Sequence, residues 1–309
     1  MKSPQKAQYV NRTATVKHID ENQPLTPRSV LLVLLLCTLW GGLAVSVKIG
    51  LEGIPPILLA AMRFGIALVC VYTWARFANV SLNVNRCDRL IIIVPALVMV
   101  VQILFLNIGA NNTSGSHAVL FMQTYPFFVA AIAHYIIPND RLSLIKIVGL
   151  ALAGAGMMLT IYDKQGGPST SWGDMLVLFS AISLATQIMI NKILLRRISP
   201  VPLLFWQQVI VLPVFIILWL STEWYFPVYF DLKILGAVIY QGAVVAGFCF
   251  MVWIRLLQRH SATQISAFFF TTPLFGVLLS WLILGDQVTT YLTGGLMLLA
   301  AGLWVVNRN

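Results

Sequence analysis

Apolar runs of near-constant length alternate with short polar breaks along almost the whole chain. Ten such runs occur, over 30–50, 57–77, 90–109, 117–137, 145–162, 173–194, 203–221, 234–254, 263–284 and 291–306. The breaks are Pro55-Pro56, residues 85–89, Asn111-Asn112, residues 138–141, 166–171, 196–200 and 223–227, and Asp286. A bilayer core of about 30 Å is crossed by about 20 helical residues, so each run predicts one transmembrane helix. Barrel strands would be shorter and would alternate apolar with polar side chains. The first 29 residues are polar, carry both charge signs and lack a cleavable-signal pattern. They read as a cytoplasmic tail.

Composition sharpens this picture. Of the 309 residues 59% are hydrophobic and only 10% charged, with a mean hydropathy of +0.86. That leaves too little polar surface for a soluble fold, and it excludes disordered, collagenous and disulfide-scaffold chains. The formal charge of +10 does not indicate nucleic-acid binding, because the cations sit singly or in pairs between apolar runs rather than on one face. Their distribution instead orients the chain. With the N-terminus inside, 16 Lys and Arg fall in cytoplasmic segments and three (Lys48, Lys164, Lys233) on the far side, while Arg63 lies within a span. By the positive-inside rule both termini are cytoplasmic. Cys37, Cys70, Cys87 and Cys249 lack zinc-site spacing and read as small apolar side chains.

The two halves repeat. Residues 124–156 and 271–302 each give Thr-x-Pro, an apolar stretch, an Asp in a short polar turn and a Gly-bearing helix that ends in Gly. Asp140 and Asp286, Gly149 and Gly295, and Gly156 and Gly302 are each 146 apart; Thr124 and Pro126 match Thr271 and Pro273 at 147. Trp40-Gly41 and Trp172-Gly173 open the two halves alike. A unit with an odd number of spans reverses its orientation in the second copy. The expected fold is therefore an all-α integral membrane protein, ten transmembrane helices in two inverted five-helix repeats. Many secondary transporters are built this way, with the solute site near the midplane where the repeats meet.

Trp40-Gly41, Lys48-Ile49-Gly50-Leu51, Pro55-Pro56 and Arg63-Phe64, together with the Pro126 and Pro273 helices and their acidic turns, resemble the EamA-type branch of the drug/metabolite transporter superfamily over about residues 30–306. The resemblance implies a tail (1–29), a first EamA repeat (30–162), a linker (163–172), a second repeat (173–306) and a cytoplasmic end (307–309). It also implies an inner-membrane location and export of amino acids, other metabolites or drugs. The family's usual Gly-Glu in the acidic turns is here Asn139-Asp140 and Gly285-Asp286, a shortened carboxylate.

Polar groups inside a membrane normally face the bundle interior or water, and they supply the candidate solute contacts. Arg63, about 10 Å into the second span at 1.5 Å per residue, suits a substrate carboxylate or phosphate; snorkelling or pairing with Glu52 is the structural alternative. Lys48 stands four residues before Glu52, at ion-pair spacing. Asn107, Asn111, Gln123, Tyr125, Gln187, Asn191, Gln207, Gln241 and Thr271 complete the substrate-binding candidates; such groups equally bond helix to helix. Trp40 is a further candidate contact, although Trp40, Trp206 and Trp253 also fit lipid-facing or interfacial positions. Pro126 and Pro273, read as mid-helix, are candidate hinges.

Ten carboxylates can be placed and none falls near mid-span. This favours facilitated diffusion or exchange, or proton coupling through His117 or His134, over a carboxylate relay. HExxH, GxSxG and P-loop patterns are absent, so neither an enzyme nor an ATP-driven pump is expected. No cofactor or metal is implied. The expected partners are a small polar metabolite and the lipid bilayer, with the chain as monomer or homodimer. The alternatives are a multidrug or toxic-compound efflux carrier and a passive channel.

Overall fold

In the computed structural model, which describes residues 23–112, 121–137, 140, 142–162, 171–275 and 290–307, each of the ten apolar runs carries helix. The first span is α1 (Pro27–Gly41) and α2 (Leu43–Leu51), interrupted at Gly42. The second and third are α3 (Pro56–Phe77) and α4 (Arg86–Asn111). The fourth and fifth contain α5 (Tyr125–Ile136) and α6 (Leu144–Tyr162), the sixth and seventh α7 (Ser171–Leu194) and α8 (Pro200–Thr222). The eighth runs unbroken through α9 (Leu232–Ile239), a π-helix (Tyr240–Cys249) and α10 (Phe250–Arg259). The ninth begins as α11 (Ala262–Ala267), tightens into a 3₁₀ turn (Phe268–Thr271), and the tenth is α12 (Thr290–Asn307).

Among the described residues, five helical stretches are each long and apolar enough to cross a bilayer alone: Pro56–Phe77, Arg86–Gly109, Trp172–Leu194, Pro200–Thr222 and Leu232–Arg259. Helix starts follow from local chemistry. Thr26 accepts the Ser29 amide ahead of Pro27, and Asp231 accepts that of Ile234, which satisfies amides that a helix start leaves bare. The start of α3 is capped from elsewhere: Glu223, after α8, accepts the amides of Ile57 (2.8 Å) and Leu58 (3.3 Å).

Packing obeys the internal repeat. Helix α12 lies along α6, α3 along α8, and α5 against α11, so spans five and ten, two and seven, and four and nine pair with their own repeat mates. Three further pairs of contacts exchange under the same swap. Span three on span six mirrors one on eight, two on eight mirrors seven on three, and four on six mirrors nine on one. This is a pseudo-two-fold arrangement of inverted repeats. Repeat glycines let the fifth and tenth spans close: a Cβ on Gly302 would meet the Ala153 nitrogen at 2.4 Å, and one on Gly149 the Gly302 carbonyl at 2.9 Å. Large apolar side chains stay outside, among them Leu31, Val69, Leu90, Leu144 and Ile217. A soluble protein would hide such a belt, whereas lipid covers it here. The molecule is an all-α, multi-pass membrane protein.

Candidate substrate passage

Three interrupted spans converge between the halves. Gly42 breaks the first, residues 123–124 turn out of helix in the fourth, and the 3₁₀ turn breaks the ninth. Spans four and nine are repeat mates, and their breaks fall at matched positions. Pro126 and Pro273 do not lie mid-helix as the sequence suggested. Pro126 occupies the first turn of α5, and Pro273 follows directly on the 3₁₀ turn. Proline suits a first turn, where its missing amide has no intrahelical partner to lose, so each marks a restart just past a break.

Aromatic rings fill the convergence. Trp40 packs on Phe269 (5.0 Å between centroids), Phe250 (5.7 Å) and Trp253 (6.3 Å), Trp253 on Phe269 (4.8 Å), and Tyr125 on Phe269 (6.0 Å). Four spans contribute. Trp40 and Trp253 are thus half-buried between the repeats, not lipid-facing, since both indoles pack on Phe269 of the ninth span. Trp206, in the second turn of α8, donates its indole N–H to the Leu82 carbonyl of the loop between the second and third spans.

Polar groups lie beside these rings, toward the other membrane face. The Tyr240 hydroxyl donates to the Leu39 carbonyl (2.6 Å), and the Gln241 amide donates to the Ser46 carbonyl (2.9 Å). Both start the π-helix, a form that concentrates at functional sites. A Cβ on Gly242, next in the chain, would meet the Arg63 carbonyl at 3.1 Å, so Arg63 and Gln241 stand on adjoining backbones. The Arg63 Nε and the Gln241 Oε1 are buried with no partner among the described residues. Among the described residues Arg63 forms no ion pair with Glu52, and its guanidinium lies 5.3 Å from the Phe64 ring. Gln208 gives its amide to the Ala246 carbonyl, and its Oε1 is unpaired among the described residues.

Other candidates lie apart. Gln207 donates to Asn191, joining α8 to the last turns of α7, and Gln187 is buried one turn earlier. Thr271 donates to the Phe268 carbonyl within the 3₁₀ turn, Gln123 is buried at the fourth-span break, and Asn107 is half-buried on α4. His134 is tied structurally: its Nδ1 accepts the Leu142 amide at 3.1 Å. The side chains of Lys48 and Asn111, and all of His117, lie outside the described residues.

One cluster went unread in the sequence. Asp140, placed there on a polar turn, is completely buried. It accepts from the Lys146 ammonium (3.1 Å), the Ser261 hydroxyl (2.7 Å) and the Thr263 amide (3.3 Å). Lys192, counted among the cytoplasmic-side cations, is buried and donates to the carbonyls of Leu257 and His260, both at 2.7 Å. His260 bonds the Ser29 hydroxyl (2.9 Å) and the Gln23 carbonyl (3.0 Å), and the Gln23 amide donates to the Arg259 carbonyl. Both halves thus clamp the 259–263 turn that enters the ninth span. The signal available was Ser261-x-x-Gln264, a capping-box spacing whose Ser261 oxygen does accept the Gln264 amide.

Comparison with known proteins agrees with this architecture. The EamA-like transporter family model matches residues 27–162 and 171–308. An uncharacterized transporter of Bacillus subtilis, YoaV, is 24% identical over 277 residues, 86% of this chain and 92% of that one. A Salmonella typhimurium protein named "probable amino-acid metabolite efflux pump" is 27% identical over 285 residues, covering 89% and 93%, and an Escherichia coli protein of the same name is 26% identical. A crystal structure 17% identical superposes with a TM-score of 0.78, covering 91% of this chain and 96% of that one, and so shares the fold. With both halves matched and the repeats packed across a pseudo-two-fold axis, the chain belongs to the EamA-like transporter family.

Proposed function

We propose that this transporter exports small polar metabolites, amino acids or related compounds, by alternating access, with Arg63, Gln241 and the Trp40 cluster meeting the solute. The observation that carries the reading is the pair of helix breaks at matched positions of spans four and nine, beside buried polar atoms that have no partner among the described residues. Breaks of this kind place backbone and side-chain polar groups at depth only where they line a cavity or are buried in protein. A guanidinium and neutral amides suit a carboxylate-bearing or zwitterionic solute. The name of the Salmonella and Escherichia relatives supports the same substrate class. Positive-inside counting supports cytoplasmic chain ends in a cell inner membrane, the two repeats over 30–162 and 173–306 acting as halves of one carrier. Exchange or facilitated diffusion fits the carboxylates, since Asp140 is buried in an interhelical contact rather than on the polar path.

Proteoliposomes test this. Saturable uptake of labelled amino acids with counterflow is the carrier result. Flux that never saturates would replace it with a channel. The multidrug reading is favoured by one observation, the ring cluster, which suits solutes with an apolar part; competition by aromatic cations but not by amino acids would select it.

A further inference from the structure

A cleft of about 410 Å³ opens where the loop between the second and third spans meets α8, and nothing in the transport reading uses it. Its wall includes Tyr72, Arg76, Ser81, Asn83, Arg89 and Trp206. The volume lies within the roughly 300–1,000 Å³ of small-ligand sites. Two guanidiniums face it, and among the described residues no carboxylate lines it. Arg89 is held in place: its Nε donates to the Val84 carbonyl (2.9 Å), a terminal N–H to Asn83 Oδ1 (3.2 Å), and its plane lies 4.5 Å from the Trp206 ring. That uses two of the five N–H groups a guanidinium carries. Arg76 is exposed and takes no protein acceptor among the described residues. Asn79, in the left-handed region (φ 51°), turns the chain after α3 and so sets the path of this loop.

Depth decides what such a site would hold. Arg76 is in the last turn of α3 and Arg89 in the first of α4, so both stand at a membrane boundary. Around them Tyr72, Phe77 and Leu90 are exposed, Phe77 by 84%, as lipid-facing side chains are. A rigid guanidinium on an indole presents parallel donors that match phosphate oxygens, and basic pockets between transmembrane helices take acidic headgroups. We propose that this cleft binds a phosphate-bearing anion, supplied by the headgroup of an acidic phospholipid lying against α3, α4 and α8.

Lipid retention resolved by native mass spectrometry tests it, with full-length protein in neutral detergent titrated with phosphatidylglycerol or phosphatidylcholine. Phosphatidylglycerol should be retained preferentially. Arg76→Gln should cut that preference about fivefold, the worth of one basic side chain near an acidic surface, and Arg28→Gln, exposed on the same face outside the cleft, should leave it unchanged. Arg89→Gln should abolish most of the rest; if it fails to fold, Arg76→Gln alone decides, because that side chain holds nothing else. Equal retention of the two lipids, or a preference that Arg76→Gln leaves intact, overturns the proposal. Stabilisation by inorganic phosphate, lost in Arg76→Gln, without any lipid preference would overturn the lipid source.

Discussion

Arg63 stands roughly 10 Å from the nearer end of its helix, with a buried Nε that no group among the described residues accepts. A buried donor left bare costs about 1–3 kcal/mol, and a substrate carboxylate in that place would remove the cost. Arg63→Gln is therefore expected to raise KM for a carboxylate-bearing substrate about thirtyfold, equivalent to ~2 kcal/mol. Arg63→Lys should recover part of it, keeping the charge but not the planar fork. Counterflow against substrate concentration measures both, and an equal loss for an uncharged analogue would assign Arg63 to folding instead. Lys192 makes a contrasting case at the same scale. Its ammonium caps the final carbonyls of α10, where the helix dipole favours a cation. Lys192→Met should lower stability by about 2 kcal/mol, read as a lower thermal midpoint in detergent with the substrate KM of the folded fraction unchanged.

At the scale of elements, the closest approach is between α6 and α12, and glycine permits it. Gly302→Ala puts a methyl group within 2.4 Å of the Ala153 nitrogen, and backbone cannot yield as a side chain end would. Overpacking of this kind costs about 1–3 kcal/mol. Gly236→Ala is the control: a Cβ there meets nothing within 4 Å, and helix propensity favours alanine by about 1 kcal/mol. Thermal melts should therefore move in opposite directions for the two variants. Gly302 was legible in the sequence because it recurs with Gly156 at a fixed offset, as were the spans, because the bilayer sets their length. What lay across the chain was not. A run of twenty apolar residues does not say which side of a helix faces a neighbour, so Trp40 and Trp253 took the aromatic-belt reading although both pack on Phe269 and Trp40 also on Phe250. A proline inside an apolar run looks like a kink, and only the turn at 123–124 and the 3₁₀ turn reveal Pro126 and Pro273 as helix starts. Nor did any pattern announce the π-helix, which inserts no unusual residue. Asp140 and Ser261 are 121 positions apart, and their contact depends on how the halves dock.

That docking is what alternating access must undo at the scale of the whole molecule. On the face where the chain enters, Asp140 of the first half grips the turn leading into α11 of the second, with Lys146 as its counter-ion. The opposite face has its own tie, where Glu223 caps α3 and the Tyr229 amide meets the Gly53 carbonyl. A carrier that rocks about its pseudo-two-fold axis breaks one set while keeping the other, so weakening one set shifts the population toward opening on that side. Asp140→Asn keeps the shape but gives up the charge, leaving Lys146 without its partner; breaking a buried pair in this way costs about 3–5 kcal/mol when the pair is fully enclosed. Lys146 is partly exposed at 18%, so an effect of about 2 kcal/mol, roughly thirtyfold in the equilibrium, is the fitting expectation. Ser266, fully buried one turn beyond Thr263, reports it. With Cys87 replaced by Ser, a Cys at 266 should react about thirtyfold faster with a water-soluble maleimide when Asp140→Asn is present, and Asp140→Glu should restore slow labelling. Unchanged labelling together with a lowered melting point would make Asp140 a static staple between repeats, and the passage would then need a different gate on this face.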